Sequence, residues 1–194
     1  MKIFNLFVTK QCDRSCSYCF VQKARTTFNP YKIPSNLPWE KYQYICILGG
    51  EPGLLNEFEV KTLLDKVSYI PKDRRLIATN GLFLKKYFNK YPDLTYAYHI
   101  TDLTEPPLSY KGRINFIIIL TSDNIKQVID YVKKYPDVTF TCNENIYESL
   151  FANSETLKDI RTLMKIPNLR FNKVVSAKDE YSCEGKIEAL DYIL

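Results

Sequence analysis

The chain lacks the features that mark membrane and secreted proteins. Its longest apolar run, residues 116–120, is far too short to span a bilayer. Polar residues interrupt the N-terminal apolar stretch, and no small-residue cleavage site follows it, so we do not expect a signal peptide. The chain also has few glycines, six in all, and a single histidine. The absence of a bilayer-length apolar run and of a signal peptide favours a cytoplasmic protein without a membrane partner.

The bulk composition is that of a globular domain. The chain has 194 residues, of which 45% are hydrophobic and 25% charged, enough to bury a core. The net charge of +5 is spread along the chain, which permits an anionic partner without requiring one. No linker interrupts the pattern. We therefore expect one domain over residues 1–194, with residues 175–194 as a weakly patterned tail that closes or flanks it.

Strand-like apolar runs alternate with helical segments. The pattern predicts strands over residues 3–9, 44–48, 75–79, 94–101, 114–121, 138–142 and 169–175. It predicts helices over residues 56–70, 82–91, 123–135 and 154–165, the first of them capped by Asn56. Such alternation implies right-handed βαβ units and parallel strands. The expected fold class is α/β, a partial (β/α)6 barrel; an open doubly wound sheet is the alternative.

Two connections between strands are poor in helical pattern. Residues 25–38 carry three prolines, and residues 102–113 contain Pro106 and Pro107. We expect both connections to be mostly loop, so that the helical crossovers of the barrel are shortened.

Three of the six cysteines crowd into one short loop after the first strand. Cys12, Cys16 and Cys19 stand in a polar segment, whereas Cys46 and Cys142 lie on apolar strands and are expected to pack in the core. Thiolates are the usual ligands of iron–sulfur clusters, and three of them leave one iron open for another ligand. A zinc site, which prefers four ligands, is the alternative; the chain offers no second cysteine pair.

Three segments together resemble the radical S-adenosylmethionine (SAM) superfamily. The first is the C-x₃-C-x₂-C spacing of the three cysteines, with aromatic Tyr18 before the last of them. The second resembles the GGEP motif of that superfamily and consists of Gly49, Gly50, Glu51 and Pro52. The third resembles its TNG motif, Thr79-Asn80-Gly81. Each follows a predicted strand, and together they cover about the first half of the chain.

The resemblance implies a definite chemistry. It implies a [4Fe–4S] cluster on Cys12, Cys16 and Cys19, with SAM bound at the open iron. A one-electron donor such as flavodoxin or ferredoxin would reduce the cluster. SAM would then be cleaved to a 5′-deoxyadenosyl radical that abstracts a hydrogen atom from the substrate.

The resemblance also implies roles for single residues. Gly49 and Gly50, which lack a Cβ, would let the backbone approach the methionine end of SAM. Glu51 would accept a hydrogen bond from the SAM ammonium group. Tyr18 would face the adenine, with core packing as its alternative, and Asn80 would hydrogen-bond at the mouth of the strands. Pro52, Thr79 and Asn80 would complete the SAM-binding residues of the two motifs.

Four other residues are candidates for SAM or substrate contacts. His99, Thr101 and Asn143 lie near the ends of predicted strands, where β/α barrels place their active sites. A core role is the alternative for His99. Cys183 lies beyond the last predicted strand in a polar setting, and its thiol would return a hydrogen atom to a substrate radical, as in some peptide epimerases of the superfamily. A surface cysteine without a role is the alternative there.

The substrate stays open at the level of sequence. A short barrel with few helices would have a wide mouth, which favours a peptide or another sizeable substrate. A nucleotide or nucleic acid is the alternative, favoured by the positive charge. A non-catalytic iron–sulfur protein for electron transfer or sensing is the alternative from another class, and it would not require Glu51 or the GGEP turn.

Overall fold

The structure is a computed structural model that describes residues 3–19, 37–144 and 154–172. Within those ranges there are seven strands: β1 Ile3–Phe7, β2 Tyr44–Leu48, β3 Arg75–Thr79, β4 Thr95–His99, β5 Arg113–Leu120, β6 Phe140–Glu144 and β7 Leu169–Asn172. The α-helices of the same ranges are α1 Glu57–Lys66, α2 Leu82–Tyr87, α3 Ile125–Lys134 and α4 Ser154–Leu163. The α/β class is confirmed, with seven strands where the (β/α)6 expectation has six.

The described residues fall into two compact units. The first comprises residues 3–19, 37–98 and 110–114, and the second comprises residues 99–109, 115–144 and 154–172. The single domain expected from the sequence stays a prediction.

In the first unit, β1 to β4 pair in chain order, and every pair is parallel. The register places Phe4 beside Ile45, Cys46 beside Leu76, and Ala78 beside Ala97. Apolar residues of these strands and of the helices form the core, among them Ile45, Ile47, Ile77, Phe83 and Tyr96. Because parallel strands end at the same edge of a sheet, the segments that follow β1, β2 and β3 are brought together there.

Helix α1 begins where the sequence predicts. The Asn56 side chain accepts a hydrogen bond from the Glu59 N–H at 2.9 Å, and the Glu59 carboxylate accepts one from the Asn56 N–H at 2.9 Å. This reciprocal pair is a capping box, which satisfies two amides that the first helical turn leaves free. Val60, Leu63 and Leu64 are the buried face of the helix.

In the second unit, β5, β6 and β7 are also parallel and follow chain order. Ile117 pairs with Thr141, and Cys142 with Phe171. The Ile100 N–H donates a hydrogen bond of 2.8 Å to the Ile117 carbonyl, alongside β5. Helix α3 buries one apolar face, formed by Ile125, Val128, Ile129, Tyr131 and Val132.

One of the two predicted loop connections is confirmed. The structure describes the whole of residues 100–112, and they contain no helix. The other, residues 25–38, lies outside the described residues except for its last two positions, and so does the tail over residues 175–194. None of the helices in the described ranges combines the length and apolar character that a membrane span needs.

Candidate functional site

The cysteine loop leaves β1 and is held at its start by the segment that follows β2. The Val8 N–H donates to the Leu48 carbonyl at 2.8 Å. The Gly50 N–H then donates to the Thr9 carbonyl at 2.7 Å, and the Glu51 N–H to the Gln11 carbonyl at 2.7 Å. These bonds continue the parallel pairing past the end of β2, so the backbone position just before Cys12 is fixed.

The two glycines make this close approach possible. A Cβ at Gly49 would overlap the backbone of Thr9, and a Cβ at Gly50 would overlap the backbone of Gln11. Gly49 also has φ 155°, a value that favours glycine. The resemblance explains the two glycines by an approach to SAM; the structure gives an internal reason, contact between two segments of the chain. Their contact with SAM stays a prediction.

Glu51 joins the end of β2 to the turn between β3 and α2. It is 0% exposed. Its Oε1 accepts hydrogen bonds from Gly53 N–H at 2.8 Å, Thr79 Oγ1 at 2.8 Å and Phe83 N–H at 3.1 Å. Its Oε2 accepts one from the Asn80 N–H at 2.6 Å. Burial raises the pKa of the Glu51 carboxyl, and these four donors oppose that shift because they favour the carboxylate.

The Thr79-Asn80-Gly81 segment forms a tight turn between β3 and α2. The Thr79 hydroxyl accepts hydrogen bonds from the Gly81 N–H at 3.0 Å and the Phe83 N–H at 3.2 Å, and the side chain is 3% exposed. Gly81 has φ 106°, in the left-handed region that glycine tolerates. Pro52, also buried, begins a short 3₁₀ helix over Pro52–Leu54. Thr79 and Pro52 therefore support the turns of the two motifs from inside the protein.

Asn80 connects this turn to the cysteine loop. Its Nδ2 donates a hydrogen bond of 2.6 Å to Asp13 Oδ1 and lies 3.9 Å from Cys12 Sγ, within reach of a weak hydrogen bond to sulfur. Its Oδ1 accepts from the Leu82 N–H at 3.2 Å. The Cys12 sulfur also accepts from the Arg14 N–H at 3.4 Å. All three motifs thus share direct contacts at the carboxyl ends of β1, β2 and β3.

The three thiols are free and half-buried. The Cys19 N–H donates to the Cys16 carbonyl at 3.0 Å, which forms a turn within the loop. Burial raises the pKa of Cys12, and the Arg14 N–H opposes the shift. Burial, together with the nearby Cys16 and Cys19 thiols, raises the pKa of the Tyr18 phenol. Tyr18 is therefore near both thiols within the cysteine loop.

The donor set fits an iron–sulfur cluster by its chemistry. Three thiols on one loop of eight residues can supply three thiolate ligands. Within the described residues, no three side chains of His, Cys, Asp or Glu converge closely enough to hold a metal ion.

The contacts described above do not include the candidates His99, Thr101 and Asn143, which belong to the second unit. His99, half-buried, has its pKa lowered to about 4 by burial, so the imidazole is neutral near pH 7. Thr101 and Asn143 are half-buried in the second unit. Contacts of these three with SAM or substrate stay predictions, and Cys183 lies outside the described residues.

The two cysteines on strands are core residues, as predicted. Cys46 is 7% exposed and Cys142 is 0% exposed. Burial raises the pKa of each thiol to about 12, so neither forms a thiolate readily.

Asp13 also belongs to the site, although its residue type and position alone do not predict this. It lies inside the cysteine motif, directly after Cys12, and its carboxylate accepts from an amide 67 positions away. An acidic residue beside a predicted metal ligand is a signal for a hydrogen-bonded support, but the sequence alone does not identify Asn80 as its partner.

No protein-family model matches the chain, and no curated protein matches it at a significant level. The resemblance to the radical SAM superfamily therefore depends on the residues of the three motifs.

Proposed function

We propose that this protein is a radical SAM enzyme, with a [4Fe–4S] cluster held by Cys12, Cys16 and Cys19. One observation supports the proposal above all. Asn80 donates to Asp13 in the cysteine loop through its side chain and to Glu51 of the GGEP segment through its backbone. Three motifs that are distant in sequence thus contact one another at one edge of the strands. Those three cysteines would hold the cluster, which with bound SAM would supply hydrogen-atom abstraction from a substrate.

Backbone groups around the cysteine loop favour the thiolate form of Cys12 and hold the start of the loop in place. The Arg14 N–H donates to the Cys12 sulfur, which favours its deprotonated form. The backbone bonds from Gly50 and Glu51 fix the start of the loop. Between these bonds and Cys19 the loop has exposed positions, among them Ser15 and Ser17.

The SAM contacts that we propose lie at the same edge. Gly49, Gly50 and Asn80 are there, and Tyr18 lies beside Cys16. Glu51 Oε2 accepts one hydrogen bond, whereas Oε1 already accepts three. Because the side chain is fully buried, its contact with the SAM ammonium group would require the surrounding turns to open.

The proposal includes an incomplete β/α barrel as the fold. In each unit the strand order follows the chain, as in a barrel, whereas doubly wound sheets reverse their order at a switch point. Active sites of β/α barrels lie at the carboxyl ends of the strands, which is where the three motifs meet. The free cysteines of the described residues agree with a reducing, cytoplasmic compartment.

The substrate class that we propose is a peptide or another sizeable molecule. The helix-free connection over residues 100–112 supports this choice, because it leaves fewer helices around the strands. A search by mass spectrometry for modified peptides and modified nucleosides in expressing cells would distinguish the proposal from a nucleotide substrate.

The first test is anaerobic reconstitution with iron and sulfide, followed by SAM, a strong reductant and assay of 5′-deoxyadenosine. We expect the product from the wild type and from Ser17→Ala, a matched control at an exposed loop position. We expect none from Cys16→Ala. A wild-type cluster whose spectrum does not respond to SAM would contradict the proposal and favour a non-catalytic iron–sulfur protein.

A further inference from the structure

The orientation of the Asn80 side chain is fixed by its surroundings. Its backbone N–H is held by Glu51, and its Oδ1 accepts from the Leu82 N–H at the start of α2. Only the Nδ2 group can donate, so the hydrogen-bond network leaves one orientation of the amide. In that orientation both donors of Nδ2 are available to the cysteine loop.

Those donors meet two acceptors that neighbour each other in sequence. Asp13 Oδ1 lies 2.6 Å from Nδ2, a short distance for a hydrogen bond to a charged acceptor. Cys12 Sγ lies 3.9 Å from the same atom. The strong bond to Asp13 thus holds the amide where its second N–H reaches the sulfur of a proposed cluster ligand.

Hydrogen bonds to ligand sulfurs and nearby charges are two of the factors by which a protein sets the reduction potential of an iron–sulfur cluster. An N–H donor at Cys12 stabilises the reduced, more negative cluster and raises the potential. A carboxylate at position 13 has the opposite effect. The Asn80–Asp13 pair therefore combines two opposing influences on the same ligand.

We propose that Asn80 and Asp13 act as a pair of positioning residues that hold the cysteine loop against the β3–α2 turn and tune the cluster at Cys12. This inference rests on the proposed function and deepens it. It assigns the Asn80 amide to the cluster ligand, a role distinct from the SAM contact expected from its motif. It also gives Asp13 a role.

The first test uses the protein without a cluster, so that it is independent of activity. Asn80→Asp is nearly isosteric, but it replaces the donor by an oxygen that faces the Asp13 carboxylate. Hydrogen exchange of the loop amides of Arg14 and Cys19, measured by NMR, should become roughly fivefold faster, the effect of one ordinary hydrogen bond. In the double variant Asp13→Asn/Asn80→Asp, the donor and the acceptor swap places. We expect hydrogen exchange of the two loop amides to return close to the wild-type rate.

Matched controls come from elsewhere in the chain. Asn124 is a turn asparagine whose side chain makes two local hydrogen bonds, to the Thr121 N–H and the Ile119 carbonyl. Asp93 is an exposed carboxylate paired with Lys72. Asn124→Asp and Asp93→Asn should leave exchange in the cysteine loop unchanged.

The second test measures the midpoint potential of the reconstituted cluster by spectroelectrochemical titration. Asn80→Asp should lower the potential, because a donor near Cys12 becomes a carboxylate. Asp13→Asn should raise it, because a negative charge is lost while the acceptor for Asn80 is kept. Opposite shifts from the two single variants are expected only if both groups act on the cluster.

The outcomes separate this inference from the proposed function. A wild type that takes up no cluster would overturn both. A wild type that binds a cluster and cleaves SAM, with loop exchange and potential unchanged in Asn80→Asp, would overturn the inference alone. If Asn80→Asp did not fold, the Asp13→Asn variant would still decide: an unchanged potential would overturn the tuning of Cys12.

Discussion

At the scale of single residues, Gly50 shows why a motif glycine is required before any cofactor is considered. Its missing Cβ leaves room for the backbone of Gln11, and its N–H donates to Thr9. The polypeptide itself therefore occupies the space that a side chain would need.

We expect Gly50→Ala to destabilise the protein by about 2 kcal/mol, because the added methyl group overlaps backbone atoms that cannot turn away. Chemical denaturation measures the change. Gln11→Ala is the matched control, since it keeps the carbonyl that Glu51 uses and changes only an exposed side chain. A Gly50→Ala variant as stable as the control would show that the two segments separate without cost.

His99 predicts how stability depends on acidity. Burial lowers its pKa from 6.5 to about 4, so the unfolded chain binds the proton at a higher pH than the folded one. Its contribution to the free energy of unfolding is present above pH 6.5 and is lost as the pH falls towards 4, a change on the order of 3 kcal/mol.

The measurement is the free energy of unfolding of the wild type and of His99→Asn across that pH range. His99 is the only histidine in the chain, so the difference between the two curves isolates its titration from that of the carboxylates. Parallel curves would contradict the burial of the imidazole.

At the scale of secondary-structure elements, the sequence predicts the strands, helices and caps that depend on residues close together in the chain. All seven described strands and four α-helices appear where the apolar pattern places them, because short apolar runs bounded by turn residues permit few alternatives. The boundaries move by a few residues: β6 is Phe140–Glu144 instead of residues 138–142. Asn56 and Glu59 identify the start of α1 because both partners of a capping box lie within one turn.

This cap yields a prediction for α1. Asn56→Ala should lower the free energy of unfolding by about 1 kcal/mol, because the Glu59 N–H loses its acceptor. Asn56→Asp keeps an acceptor and should stay near the wild type. Thermal or chemical denaturation of the two variants distinguishes them; equal losses would assign the effect to something other than the cap.

At the scale of the whole molecule, the sequence does not predict which segments meet. The Asp13–Asn80 and Glu51–Thr79 contacts join positions 67 and 28 residues apart, and they depend on the parallel registers of β1, β2 and β3. Motif order alone indicates a shared edge. It gives neither the pairing of Asn80 with Asp13 nor the burial of Glu51.

The distribution of burial predicts two classes of thiol in the folded protein. Cys12, Cys16 and Cys19 should react with iodoacetamide under native conditions, whereas Cys46 and Cys142 should not, because they are buried and their pKa values are raised to about 12. Peptide mass spectrometry after brief labelling reads out each site.

Reconstitution with iron and sulfide should then protect the first class and leave the second unchanged. Labelling of Cys46 or Cys142 at the rate of the loop thiols would contradict their place in the core.

The contacts that hold the cysteine loop have one more consequence, for the order in which the protein is made. Gly50, Glu51 and Asn80, which hold the segment from Thr9 to Asp13, all lie within the first 80 positions. A ribosome that has added Asn80 has therefore already synthesised every residue of these contacts, while more than half of the 194-residue chain is still to come.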